Sequence, residues 1–503
     1  MKFKRAAGIL LHPTSLPGRY GIGDIGPQAH AWVDYLASTG CGLWQVLPLG
    51  PTGYGDSPYQ SFSAFAGNPY IISPEALLED GLLKPEDLED KPDFHPNEVD
   101  FGSLIPWKLS VLERAYNRFK QSASHPMQQD LEQFRTQKAH WLEDFALFMA
   151  IKEAVGGGSW SEWPRPLRLR DPYSLRQARQ EYQDVFDRHI FFQFIFFRQW
   201  EALRAHAVER GLTIVGDIPI FVAHDSSDVW ANRELFFMDE EGQPTVVAGV
   251  PPDYFSPTGQ LWGNPLYRWE VHKSSGYAWW LDRFRSVLEM VDIVRLDHFR
   301  GFAGYWEIPA GNPTAEIGQW VPGPGMKFLQ VVRDSLGDLP IIAEDLGVIT
   351  EDVVEMRDTF GLPGMKIFQF AFSSDPADPF LPHNYPDNCV AYTGTHDNDT
   401  TLGWYRSAPE SEQDFCRRYL GIEHEQGLPW KMIRTLWNSV AMFTLAPMQD
   451  FLELGPEARM NFPGKPAGNW GWRMTRADMS DELRERLKEI NYLFLRDHPQ
   501  TEE

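Results

Sequence analysis

The sequence predicts an α/β protein built on a (β/α)8, or TIM, barrel with large, mostly helical insertions between strands. Three observations carry this. Three apolar runs each end on a carboxylate: Val291-Asp292-Ile293-Val294-Arg295-Leu296-Asp297, Ile341-Ile342-Ala343-Glu344-Asp345, and Val390-Ala391-Tyr392-Thr393-Gly394-Thr395-His396-Asp397. Roughly fifty residues separate each from the next, the length of a strand, a loop and a helix with decoration. Eight strand candidates in all alternate with helical patterns, as a parallel sheet requires.

The candidates run in order over residues 8–12, 43–47, 213–217, 293–297, 341–344, 365–370, 389–392 and 439–445. Most are rich in Val, Ile, Leu or Phe, as strands buried on both faces are. Helical patterns over residues 29–38, 277–290 and 351–360 lie between them. The opening run, residues 1–11, imitates a signal peptide, but it is short and His12-Pro13 breaks it, so it reads as the first strand. The 503 residues exceed the about 250 of a minimal barrel. All are assigned to one catalytic barrel, residues 1–503, with the surplus in two insertions. One, about 70–205, holds an acidic stretch (84–100), a Gly156-Gly157-Gly158 break and an aromatic run (191–200) read as helix core. The other, about 221–275, is rich in Gly, Pro, Asp and Trp and reads as loops over a cleft.

Composition narrows the function. Seventy Asp and Glu against 46 Lys and Arg leave a net charge of −24, a field that repels nucleic acid and anionic membranes. No stretch approaches the roughly 20 apolar residues of a membrane span. Three cysteines with no CxxC pair imply no disulfide framework, and the expected location is the cytoplasm. Nineteen Trp suit a saccharide cleft, where aromatic faces stack on sugar rings, although core packing uses most of them. No HExxH, DxDxDG, GxSxG or GxxxxGK[ST] pattern is present, and no cofactor or metal is expected.

Strand parity sorts the acids. Residues two apart share a face, so Arg295 and Asp297 both point into the barrel. A guanidinium beside Asp297 orients it as a nucleophile for an anomeric carbon; the bland alternative is a structural ion pair. Glu344 shares a face with Ile342, and apolar surroundings with neighbouring acids favour its protonated form, which suits a general acid. Taken alone, Glu344-Asp345 could equally be the N-cap and first-turn acid of the next helix, a role that suits Asp345 in particular. Asp217, in Gly216-Asp217-Ile218-Pro219, is either a turn residue or a fourth site acid. His396 and Asp397 lie past the regular strand, where parity no longer decides, and offer partners for sugar hydroxyls.

With these residues in view, the whole chain resembles the amylomaltases, the bacterial-type 4-α-glucanotransferases or disproportionating enzymes of the α-amylase clan. The marks are Gly8-Ile9-Leu10-Leu11-His12-Pro13-Thr14-Ser15-Leu16-Pro17, Trp44-Gln45-Val46-Leu47-Pro48-Leu49 and Tyr54-Gly55-Asp56-Ser57-Pro58-Tyr59-Gln60. Pro252-Asp253-Tyr254-Phe255-Ser256, Trp262-Gly263-Asn264-Pro265, Arg295-Leu296-Asp297-His298-Phe299-Arg300-Gly301, Ala343-Glu344-Asp345-Leu346-Gly347 and Thr395-His396-Asp397-Asn398 join them in order. The resemblance implies a retaining double displacement, with Asp297 the nucleophile, Glu344 the acid/base, and Asp397 gripping the 2- and 3-hydroxyls of the sugar. It implies that Asp217, Arg295 and His396 line the same subsite, that Tyr59, Asp253 and Trp262 hold neighbouring glucose units, and that Asn469-Trp470 forms a second wall. The implied partners are α-1,4-glucans, maltooligosaccharides and glucose. Asn461-Phe462-Pro463-Gly464 departs from the pattern, which expects a smaller residue than Phe462. Two rivals remain: an α-1,4-glucan hydrolase on the same scaffold, and a non-catalytic glucan-binding protein.

Overall fold

The computed structural model describes residues 4–121, 127–252, 256–465 and 467–497. Its strands are β1 (Ala6–Leu10), β2 (Leu43–Gln45), β3 (Thr213–Pro219), β4 (Val246–Val250), β5 (Gln260–Pro265), β6 (Ile293–Asp297), β7 (Gly304–Pro309), β8 (Gln319–Pro322), β9 (Ile341–Ala343), β10 (Gly364–Ile367), β11 (Cys389–Tyr392) and β12 (Phe443–Pro447). Eight of them close a parallel barrel in the order β1-β12-β11-β10-β9-β6-β3-β2. The barrel expected from the apolar runs is therefore the fold.

Its interior is stratified. Ala6, Leu43, Val215, Ile293, Ile342, Met365, Val390 and Phe443 fill it from the strands' N-terminal side as one apolar cluster. Each fully buried aliphatic chain there contributes about 1.5–3 kcal/mol. One pleat higher Ile367 and Leu445 keep the apolar character on β10 and β12, while β2, β3, β6 and β11 turn polar. The Tyr392 hydroxyl donates to Gln45 Oε1 at 2.8 Å, and Asp217 and Arg295 take their places on β3 and β6. Arg295 Nε lies 3.4 Å from Met365 Sδ, at the seam between the apolar and polar layers. Gly216, which faces outward beside Asp217, is needed for packing: a Cβ there would stand 2.6 Å from Val291 Cγ1.

Four strand expectations shift. The first strand runs Ala6–Leu10, two residues before the expected 8–12, and the second ends at Gln45, not at residue 47. The last barrel strand lies at Phe443–Pro447, not over residues 439–445. Ser439 instead closes the preceding helix, its hydroxyl donating to Leu436 O at 2.6 Å, while Val440 is 54% exposed. The sixth strand stops at Ile367, and Phe368–Ala371 winds into a 3-10 turn.

Between β2 and β3 lie the helices Phe101–Gln121, Met127–Gln137, Ala139–Ala154, Pro172–Glu181 and the 27-residue Gln183–Glu209. Residues Ile190 to Phe196 of the last are all buried. A helix buried all round is sandwiched between two layers. Phe191 meets Phe119 at 4.9 Å on one side, and Trp200 meets Trp44 of β2 at 6.4 Å on the other.

The segment read as cleft loops, about 221–275, is more regular than expected. Strands β4 and β5 pair antiparallel and join β7 and β8, which follow β6, in a four-stranded sheet ordered β5-β4-β7-β8. No helix among the described residues is long and apolar enough to cross a membrane.

Candidate active site

The C-terminal strand tips bring Asp217 and Asp297 onto one buried guanidinium, with Glu344 and Asp397 on the neighbouring segments. Arg295 is 4% exposed. Its Nη1 donates to Asp217 Oδ2 at 2.5 Å and its Nη2 to Asp297 Oδ1 at 2.7 Å. Burial opposes a charge on Arg295, but Asp217 and Asp297 outweigh it and hold the guanidinium protonated. The register of β3 against β6 explains the contact, since Asp217 pairs directly with Arg295. Burial pushes the Asp217 carboxyl up, and Arg295 opposes that push. The Tyr59 hydroxyl donates to the same Asp217 oxygen at 2.7 Å. Asp297 projects past this cluster, with 30% of its side chain exposed.

Glu344 follows β9 and is gripped by backbone. Its Oε2 accepts from His298 N at 2.7 Å and its Oε1 from Leu346 N at 2.9 Å. His298 holds a left-handed conformation, φ +53°, which turns its N–H toward Glu344. Phe299 N donates to Glu344 O at 3.1 Å, and Glu344 N to Leu296 O at 3.0 Å, so the tips of β6 and β9 are laced together. Burial, and then the charge of Asp297, push the Glu344 carboxyl up to about 7, against the opposing pull of Arg295 and the two N–H groups. A carboxylic acid near 7 beside an acid aimed by a guanidinium has the asymmetry that acid-assisted displacement at a sugar carbon requires.

Asp397 sits on the segment after β11, with 49% of its side chain exposed. Its Oδ1 accepts from Asn461 Nδ2 at 2.7 Å and lies 3.4 Å from His396 Nε2. The His396 ring stacks on Tyr59 with centroids 5.0 Å apart and planes 13° apart. Asp217, Arg295, Asp297, Tyr59, His396 and Asp397 thus form one connected group.

The remaining expected residues fall differently. Trp262, on β5, meets the His298 ring edge-on at 4.8 Å, on the flank of the Glu344 lacing. Trp470 is only 5% exposed and packs 6.0 Å from both Tyr59 and His396, so its ring backs these two. Asn469 engages both amide ends within its own loop, accepting from Phe462 N and donating to Lys465 O. Asp253 lies outside the described residues. Asp345 does not open a helix, since the next one begins at Glu351. It accepts from Met365 N at 2.7 Å and from Arg357 Nη1 at 2.6 Å, tying β9 to β10.

Three supporting residues were not singled out in the sequence. Arg459 donates to Asp397 O at 2.8 Å. Asp450, 1% exposed, accepts from Thr393 Oγ1 and from Thr401 N and Oγ1, anchoring both ends of the Asp397 segment. Gln369 Nε2 donates to Asp399 O at 3.0 Å. No local pattern marks these residues. Among the described residues, no group of three or more His, Cys, Asp or Glu is placed to hold a metal ion.

A family model described as 4-alpha-glucanotransferase matches residues 11–479. A 4-alpha-glucanotransferase of Thermus thermophilus is 53% identical over 495 residues, covering 97% of this chain and 98% of its own. One from Synechocystis is 49% identical over 494 residues, covering 98% of each. An amylomaltase of Streptococcus agalactiae, solved in complex with acarbose, superposes with a TM-score of 0.96 at 40% identity, covering 98% of this chain and all of that one. The amylomaltase of Corynebacterium glutamicum, at 18% identity and a TM-score of 0.79, shares the fold; the match covers 97% of this chain and 75% of that one.

Proposed function

We infer the course of the reaction from the premise that the chain belongs to the 4-alpha-glucanotransferase family. Its activity is the transfer of a segment of an α-1,4-glucan to the 4-hydroxyl of glucose or of another α-1,4-glucan. The observation that carries the mechanism is the contrast between two carboxyls on adjacent strands. Asp297 is aimed by Arg295, while Glu344 is pushed up to about 7.

In the first half-reaction the Asp297 carboxylate attacks C1 of the donor sugar as Glu344 gives its proton to the departing O4. The C1–O4 bond breaks and a glycosyl ester forms on Asp297. In the second, Glu344 takes the proton of an acceptor 4-hydroxyl as that oxygen attacks C1, and Asp297 is released as carboxylate. Two inversions at C1 retain the α configuration. Asp397 holds the 2- and 3-hydroxyls as the ring flattens, and Asp217, Arg295 and His396 line that subsite. Tyr59, Asp253 and Trp262 hold flanking glucose units, and Trp470 supports Tyr59 and His396 from behind while Asn469 shapes its own loop. All belong to one catalytic barrel whose insertions shape the cleft.

Transfer outruns hydrolysis if bulk water is excluded while sugar is recruited. The segments around residues 253–265 and 461–472 are the candidates for that task. The three cysteines are buried and free, which suits a reducing compartment and supports a cytoplasmic location.

Incubation with maltotriose tests the reading. A transferase yields glucose and longer oligomers while the count of reducing ends stays flat; a rising count would favour the hydrolase. Full activity in Asp297→Asn would remove the nucleophile from this scheme.

A further inference from the structure

We propose that Arg459 is a positioning residue that holds the Asp397 backbone against Asn461 and the stem Met460–Trp470, and so sets the grip on the donor sugar. The inference rests on the reading of Asp397 as the residue that holds the 2- and 3-hydroxyls.

Two nitrogens of the guanidinium each have a backbone acceptor, and the third faces a carboxylate at ion-pair distance. Nε donates to Asn461 O at 2.8 Å and Nη2 to Asp397 O at 2.8 Å, while Nη1 stands 3.7 Å from Asp399 Oδ2. The Phe462 ring lies 4.6 Å from its central carbon. One planar group therefore fixes the backbone on both sides of the hydrogen bond from Asn461 Nδ2 to Asp397 Oδ1. Lysine, a point charge on a flexible stem, cannot satisfy two carbonyls in that fixed geometry.

The same stem closes the loop. Trp470 N donates to Met460 O at 2.8 Å, and Trp470 adopts a left-handed conformation, φ +63°, that directs the chain back at the loop's base. Met460 and Trp470 pack with Leu10, Leu47 and Tyr59. The loop base is thus continuous from Asp397, through Arg459 and Met460, to Trp470 and Tyr59, which in turn holds Asp217.

Asp397 depends on this brace. Thr393 and Thr401, on either side of it, are anchored by buried Asp450. The tip between them is half exposed, and its carboxylate is held by Asn461 with His396 alongside. Phe462, the residue that departs from the family pattern, covers one face of the Arg459 guanidinium.

The test compares Arg459→Met, Arg459→Lys, Asn461→Ala and the double variant Arg459→Met/Asn461→Ala in the full chain, with maltotriose as donor and acceptor. The expected result for Arg459→Met is a fall in kcat on the order of 100-fold, the cost of misplacing one reacting group by about 1 Å. KM should change by less than about threefold and the melting temperature by a few degrees at most. Arg459→Lys should fall between it and the parent. The double variant should be no worse than Arg459→Met, because both substitutions act through Asp397. Parent-like kcat in Arg459→Met, or losses that multiply in the double variant, would overturn the proposal. If Arg459→Met does not fold, the same split between kcat and KM is read from Arg459→Lys. Asp397→Asn separates the two readings. If it stays active, the assignment of Asp397 fails; if it is inactive while Arg459→Met matches the parent, only the coupling fails.

Discussion

Replacing Glu344 by Gln should change the pH dependence of stability in a direction that a merely structural glutamate would not. In the unfolded chain its carboxyl titrates near 4.5; in the fold it is pushed up to about 7. The folded protein therefore binds this proton more tightly than the unfolded chain does. The stabilisation is complete below pH 4.5 and is lost as the pH rises through 7. At about 1.36 kcal/mol per pH unit, the penalty at pH 8 relative to pH 4 is about 3 kcal/mol. Gln does not ionise and carries no such penalty. It has a cost of its own, because its amide nitrogen faces one of the two N–H donors, from His298 or Leu346, and leaves that donor unpaired. That cost is about 1–3 kcal/mol and equal at every pH. The diagnostic quantity is thus the change with pH in the stability difference between variant and parent, in the variant's favour by about 3 kcal/mol from pH 4 to 8. For 503 residues at about 2.1 cal/mol/K each, the unfolding entropy is about 1 kcal/mol/K, so the shift in Tm is about 3 °C. Calorimetry of both proteins at pH 4, 6 and 8, at one ionic strength and scan rate, reads it directly. A Tm difference that stays constant, or moves against the variant as pH rises, would show that the fold does not hold Glu344 protonated, and the acid assignment would lose its physical basis.

Other perturbations address the rest of the cluster. In transfer assays, kcat/KM should decline above about pH 7 as Glu344 loses its proton; a decline already complete by pH 5.5 would count against the raised value. Arg295→Met strands Asp217 without its cation and should destabilise the protein by about 3–5 kcal/mol. Adding Asp217→Asn should recover much of that in denaturant melts, and no recovery would mean the ion pair is not the source of the loss. Tyr59→Phe keeps the stack on His396 but removes the hydroxyl from Asp217. Its kcat/KM for maltotriose should fall about tenfold, the scale of one unsatisfied buried acceptor; an unchanged value would remove the hydroxyl from the donor subsite.

What was legible in the sequence was whatever depends on short-range periodicity. The run Ile293–Asp297 announces a strand buried on both faces, and parity alone puts Arg295 and Asp297 on one side. The strand at Phe443–Pro447 was misplaced by four residues, because Ser439 and Val440 look strand-like locally while Ser439 is committed to a helix end. The four-stranded sheet was missed for a different reason. The β4 strand pairs with β7 across an intervening barrel strand, so no turn between adjacent runs signals it. Asp345 looked like a helix cap because it follows a strand, yet its partners, Met365 and Arg357, belong to the next barrel unit.

The acids divide along the same line. Asp297 and Glu344 lie at or just beyond regular strands, so the barrel itself sets their spacing and pattern reading finds them. Their different surroundings come from contacts that no local pattern encodes: the Arg295 fork between β3 and β6, and the His298 N–H turned toward Glu344. Burying that fork is tolerable only because the barrel interior changes character there. Below Arg295 the side chains are apolar; at its level Asp217 and Asp297 neutralise it, and Tyr59 satisfies a further site on Asp217. Asp397 lies beyond the last regular residue of β11, where no strand geometry constrains it. Its position is set by Arg459 and Asn461, 62 and 64 residues further along. The acid proposed to grip the substrate is therefore the one least fixed by the barrel and most fixed by a loop of the cleft. Under the proposed roles, such an arrangement allows the cleft to tune transfer without disturbing Asp297 and Glu344.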